Sequence, residues 1–102
     1  MTLNYSLTPQ AKADLRGIWD YTVDHWGIDQ ADKYIRQLYN QFELLADSPD
    51  LGKKRDEVKA GYRSFPEGKH VIFYMLLFDK TIAIIGVPHQ REDVELHFQP
   101  FH

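Results

Sequence analysis

The longest unbroken apolar run of the chain lies between Gly61 and Asp93, and turn residues cut that stretch into three strands. Pro66, Glu67 and Gly68 separate the first two runs. Asp79 and Lys80 separate two segments rich in Ile, Val, Phe and Tyr, the pattern of an antiparallel meander. The middle run, Val71 to Phe78, is apolar at eight consecutive positions. A strand with one wet face alternates, so an unbroken run predicts that both faces are covered or that one is kept for a partner. Upstream, Leu3, Tyr5 and Leu7 alternate with Thr2, Asn4 and Ser6, which predicts a short half-buried strand.

The spacing then changes from two to three and four. Thr8 is a good N-cap and Pro9 suits the first helical position, where its missing N–H has no partner to lose. Ala11, Leu15, Ile18, Trp19, Thr22 and Trp26 share one face of the helix they start, while Lys12, Asp14, Arg16, Asp20 and Asp24 mostly point away. Gly27 is expected to close it as a left-handed cap. Asp29 is expected to cap a second helix, in which Ala31, Tyr34, Ile35, Leu38, Phe42 and Leu45 recur and which Pro49 stops. Two amphipathic helices joined by about two residues form an antiparallel hairpin, and their shared stripe must pack on one face of the sheet. The fold class is therefore α+β, a strand, a helical hairpin and a three-stranded meander (βααβββ). For the other sheet face no segment large enough to cover it remains. Residues 90–98 are expected to form a turn or short helix, and 99–102 a loose tail.

A chain of 102 residues suits one domain, residues 1–102, burying roughly 60–65% of its unfolded surface. Twelve Lys and Arg against 15 Asp and Glu give a formal charge of -3, the wrong sign for a general nucleic-acid coat. No cysteine is present, which removes disulfides and thiolate metal sites. The apolar runs are too short to span a membrane and the polar start is not a signal peptide, so a soluble, cytoplasmic protein is expected.

Candidate chemistry is sparse. His25, His70, His89, His97 and His102 show no metal-ligand pairing, and the glycines form no phosphate loop, so neither metal nor cofactor is expected. One catalytic constellation can be drawn, with His89 as base and Arg63, Arg91 and Lys69 as cations beside a phosphorane-like transition state. The structural alternative is that His89 hydrogen-bonds its own turn while Asp93 caps the segment after it. The segment from Leu51 to Ala60 is the most cationic. It reads as a solvated loop or, with Arg63 and Lys69 close behind, as a handle for an acidic partner.

The order of elements, with Leu7-Thr8-Pro9-Gln10-Ala11, Trp26-Gly27, Asp47-Ser48-Pro49 plus Gly52, Gly61-Tyr62-Arg63-Ser64-Phe65, Gly68-Lys69-His70-Val71-Ile72-Phe73-Tyr74, and His89 with Asp93, resembles ParE toxins of the RelE/ParE superfamily. The resemblance runs from about residue 3 to 98. It implies the toxin half of a bacterial type II toxin–antitoxin pair, which poisons DNA gyrase and is neutralised by a ParD-like antitoxin whose C-terminal region folds around it. DNA contact would come only through that antitoxin. RelE-like relatives instead cut messenger RNA on the ribosome, and a third reading is a module that only homodimerises. ParE-like chains commonly carry Arg and an aliphatic residue where this chain has Gly86 and Pro88. That removes a cation useful to RNA chemistry and is expected to loosen the last strand. In this frame the open sheet face (Val71, Phe73, Met75) and Trp19 are expected to take apolar anchors of the antitoxin, and Arg55, Arg63 and Lys69 its acidic residues.

Overall fold

The computed structural model describes residues 4–98, and the expectations for Leu3 and the 99–102 tail lie outside them. The elements are β1 (Tyr5–Leu7), α1 (Pro9–Trp26), α2 (Ile28–Asp47), a 3-10 turn (Pro49–Leu51), β2 (Lys53–Lys54), β3 (Arg63–Glu67), β4 (His70–Leu76), β5 (Ile82–Gly86) and α3 (Val94–His97). One sheet has the order β1-β5-β4-β3-β2, with β1 parallel to β5 and every other pair antiparallel. The meander is thus the centre of a five-stranded sheet. Lys53 and Lys54, expected in a polar loop, pair with Ser64 and Arg63 as its edge. A two-residue lysine strand carries too little pattern to be seen in sequence, and its charge suits an exposed edge.

Thr8 joins helix to sheet. Its Oγ1 accepts from the Ala11 amide at 3.1 Å and donates to the Ile85 carbonyl at 2.7 Å, so the cap also sets where α1 leaves the sheet. Gly27 alone links α1 to α2, with φ 92° and ψ 170°. That is positive φ with extended ψ, not the left-handed helical cap expected, and it turns the chain within one residue. Asp29 is not the cap either. It lies in the first turn of α2, where its carboxylate faces the positive helix end, and the position before Ile28 is Gly27.

Both helices cover one sheet face. Ala11, Leu15 and Ile18 of α1 and Leu38, Phe42 and Leu45 of α2 meet Ile72, Tyr74, Ile82 and Ile84, with Val87 at the sheet end. Trp26 departs from the predicted stripe: it ends α1 beyond the cover of the sheet and is 70% exposed. Strand β4 stops at Leu76, so Leu77 and Phe78 belong to the turn, where Lys80 takes φ 69°. The opposite sheet face, expected to lie open, is covered over part of its width. Phe73 is fully buried there, with the Phe98 ring centroid at 5.1 Å and the Arg55 guanidinium carbon 5.1 Å from its own. No large segment is needed because two side chains, not an element, provide the cover.

The last strand is not loosened. A bulge opposite Phe73 and Tyr74 shifts the register before Gly86, and Pro88, which lacks an N–H, serves as an acceptor for the Val71 amide at 3.0 Å. A bridge between His70 and His89 extends the pairing one step further. Gly86 is also packed, since a Cβ there would lie 2.5 Å from Phe98 Cε1 and 2.9 Å from Cζ.

Candidate functional site

Where the turn between β3 and β4 and the end of β5 pass beneath the helical hairpin, they leave a cleft of about 890 Å³. Ile18, Tyr21 and Trp26 of α1 form its apolar wall, and Lys69, His70 and His89 form its polar one. His70 Nδ1 lies 2.7 Å from the Tyr34 hydroxyl, and its ring centroid is 5.3 Å from that of His89. Burial first, and the neighbouring His89 second, push the His70 pKa down to about 4, so this imidazole is neutral at physiological pH.

His89 sits in its own turn. Its amide donates to Glu92 Oε1 at 3.0 Å, and its Nδ1 accepts the Arg91 amide at 3.1 Å. An imidazole that accepts at Nδ1 carries its proton on Nε2, so the nitrogen left free is a donor and not a base. Asp93 caps α3 through Oδ1, which accepts from Glu95 at 3.0 Å and Leu96 at 3.3 Å. The structural reading of this segment therefore holds in detail.

The candidate cations are dispersed. Arg63 pairs in register with Tyr74 and Glu67 with His70, so Arg63 starts four residues, about 13 Å, along the strand from the His70–His89 bridge. Its guanidinium donates to the Gly52 carbonyl at 2.8 Å and lies 3.6 Å from Asp50. Arg55 lies over Phe73 on the outer face, with its Nε 2.7 Å from Glu57 and a bond to Ser64 Oγ at 3.2 Å. Lys69 alone shares the cleft with His89, and Arg91 is exposed beside it. Arg55, Arg63 and Lys69 thus occupy three separate places. Val71 and Met75 flank Phe73 on the outer face, both half-buried, and Trp19 is half-buried on α1.

Asp14 is the residue that sequence reasoning missed. The helical stripe directs it away from the core, yet its side chain is only 9% exposed. Its Oδ2 accepts the Val87 amide at 2.7 Å and lies 2.8 Å from His97 Nε2, and its Oδ1 accepts from Gln10 at 2.8 Å. His97 Nδ1 in turn lies 2.8 Å from Glu92 Oε2. The only local signal is Gln10 four residues before Asp14; the other partners are 73 and 83 residues away. Among the described residues no group of three or more His, Asp or Glu could hold a metal ion, and no helix is long and apolar enough to cross a membrane.

The fold is that of a solved toxin–antitoxin component. A chain from the chromosomal ParDE system of P. aeruginosa superposes with a TM-score of 0.71 at 23% identity, covering 83% of this chain and 92% of that one. Sequence narrows the class to one family. Residues 5–94 match the model for the ParE toxin of the type II toxin–antitoxin system parDE, and the chain belongs to that family. Toxin ParE1 of Mycobacterium tuberculosis is 42% identical over 95 residues, covering 93% of this chain and 97% of the relative. Toxin ParE1 of Caulobacter vibrioides is 39% identical over 93 residues, with 91% and 95% covered. Toxin ParE of Escherichia coli is 31% identical over 90 residues, with 88% and 87% covered.

Proposed function

We propose that this toxin acts in the cytoplasm by binding DNA gyrase and blocking replication, without covalent chemistry of its own, and that a ParD-like antitoxin neutralises it. Membership of the ParE family supports the toxin and its antitoxin. The observation that carries the binding mechanism is that the candidate base is taken: His89 accepts the Arg91 amide at Nδ1, so Lys69 and Arg91 lie beside it with no base to assist them, and Arg63 lies apart. Cleavage of RNA needs a base, an acid and a cation within reach of one phosphate. Here Arg63 is about four strand residues from His89 and bonded to Gly52, and the free nitrogen of His89 is a donor. The antitoxin would take the half-buried outer-face residues Val71 and Met75 and the α1 surface around Trp19 with apolar anchors, and Arg55, Arg63 and Lys69 with acidic ones.

The purified chain is expected to inhibit gyrase supercoiling and spare ribosome-bound message, and His89→Ala should leave toxicity largely intact. Removing a general base costs about 10²- to 10⁴-fold in rate. Cleaved message with gyrase unaffected, and loss of that cleavage in His89→Ala, would replace this reading with an RNA-cleaving one.

A further inference from the structure

Two side chains hold the C-terminal turn onto the body of the molecule, and their chemistry differs. Phe98 fills the niche left by the missing side chain of Gly86, with ring centroids at 5.1 Å from Phe73 and 5.8 Å from Tyr62. His97 lies between two carboxylates, with Nε2 2.8 Å from Asp14 and Nδ1 2.8 Å from Glu92. Each carboxylate is anchored independently, Asp14 by the Val87 amide and Glu92 by the His89 amide, so both stay in place whether or not His97 is there. The helix between Asp93 and Phe98 is four residues long, far below the length that is stable by itself. These two contacts tie it to the body of the molecule.

We propose that residues 93–98 form a latch over the outer face of the sheet, fastened by Phe98 in the Gly86 niche and by His97 between Asp14 and Glu92, and closed only while His97 carries its second proton. The imidazolium has two N–H donors, one for each carboxylate. The neutral ring has one, so a lone pair must then face a carboxylate oxygen. Burial alone would lower the His97 pKa, but the hydrogen bond and charge of Asp14, followed by those of Glu92, outweigh it and raise the pKa above 6.5. A raised histidine pKa means that the closed state has its full stability below about pH 6.5 and loses it as pH rises through the raised value. The other titratable groups nearby do not follow this course: burial pushes the His70 pKa down to about 4, and for Glu92 burial is outweighed by the hydrogen bonds of the His89 amide and His97, which lower its pKa. The His89 side chain is turned to the Arg91 amide and bonds neither carboxylate. Opening empties the Gly86 niche and leaves Arg55 as the remaining cover of Phe73, so an alkaline shift would make that edge of the apolar face accessible.

Hydrogen exchange of the His97 and Phe98 amides, bonded to the Asp93 carbonyl at 3.0 Å and the Val94 carbonyl at 3.2 Å, reads the latch directly. In the full chain, with rates normalised to those of unstructured peptide, protection is expected to fall several-fold between pH 6 and pH 8.5. In His97→Gln protection should be low at both pH values, and in Glu92→Gln the fall should shrink. Equal protection of the natural chain at the two pH values would overturn the proposal. A fall that persists in His97→Gln would do the same by assigning the titration to another group, as would a fall of undiminished size in Glu92→Gln.

Discussion

Tyr74 is fully buried, yet its hydroxyl is satisfied twice: it accepts the Gly52 amide at 2.8 Å and donates to the Pro49 carbonyl at 2.6 Å. Residue 52 must lack a side chain, because a Cβ there would overlap the Tyr74 ring and hydroxyl. Tyr74→Phe keeps the ring and strands both backbone groups, so denaturant unfolding should show a loss of about 1–3 kcal/mol with an unchanged m-value. His70 makes the opposite use of burial. Its folded pKa of about 4 lies below the ordinary value of 6.5, so the unfolded chain binds more protons between those two values. Its contribution to stability is complete above pH 6.5 and is lost as pH falls toward about 4. Replacing it by Gln should flatten the stability–pH curve across that window, and an equally steep curve in His70→Gln would assign the slope to other groups.

Among the elements, the end of β5 joins most of the parts. Gly86 admits the Phe98 ring, Val87 bonds Asp14, Pro88 accepts from Val71 and His89 bridges His70. Gly86→Ala should evict the half-buried ring and cost roughly 1 kcal/mol, part of the value of a buried Phe. In a Phe98→Ala background most of that cost should disappear, leaving the 3.1 Å approach of the new methyl to Asp14 Oδ2, and an undiminished cost there would place the strain elsewhere. The helices are legible by a three- and four-residue period and the meander by apolar runs bounded by turn residues, both of which one sequence window contains. The latch is not legible, because Asp14 is polar on a helix whose polar residues mostly do face water, and its partner at 97 is set by the closing of the sheet.

For the molecule as a whole, the cations lie on three sides, with Arg55 outside the sheet, Arg63 near the 3-10 turn and Lys69 in the cleft. A partner that met all three would have to wrap around the toxin. Charge reversal at Lys69 or Arg63 should then slow association with the antitoxin at low salt, with the difference narrowing as salt is added. Stopped-flow rates that match the natural chain's at low salt would remove those residues from the interface.

Features encoded between near neighbours were set by the order of residues alone: the Thr8-Pro9 start, the three- and four-residue stripes of α1 and α2, the turns at Gly68 and Asp79, and the Asp93 cap. Folding in three dimensions set the parallel seat of β1 beside β5, the edge role of Lys53 and Lys54, and the burial of Phe73 beneath Phe98. It also set which histidine is neutral, which is clamped between carboxylates and which is turned to its own backbone. The physical reason is range. Periodicity, caps and turns are settled by groups within a few residues of one another, whereas desolvation, strand order and charge pairing depend on atoms that only the folded chain brings together.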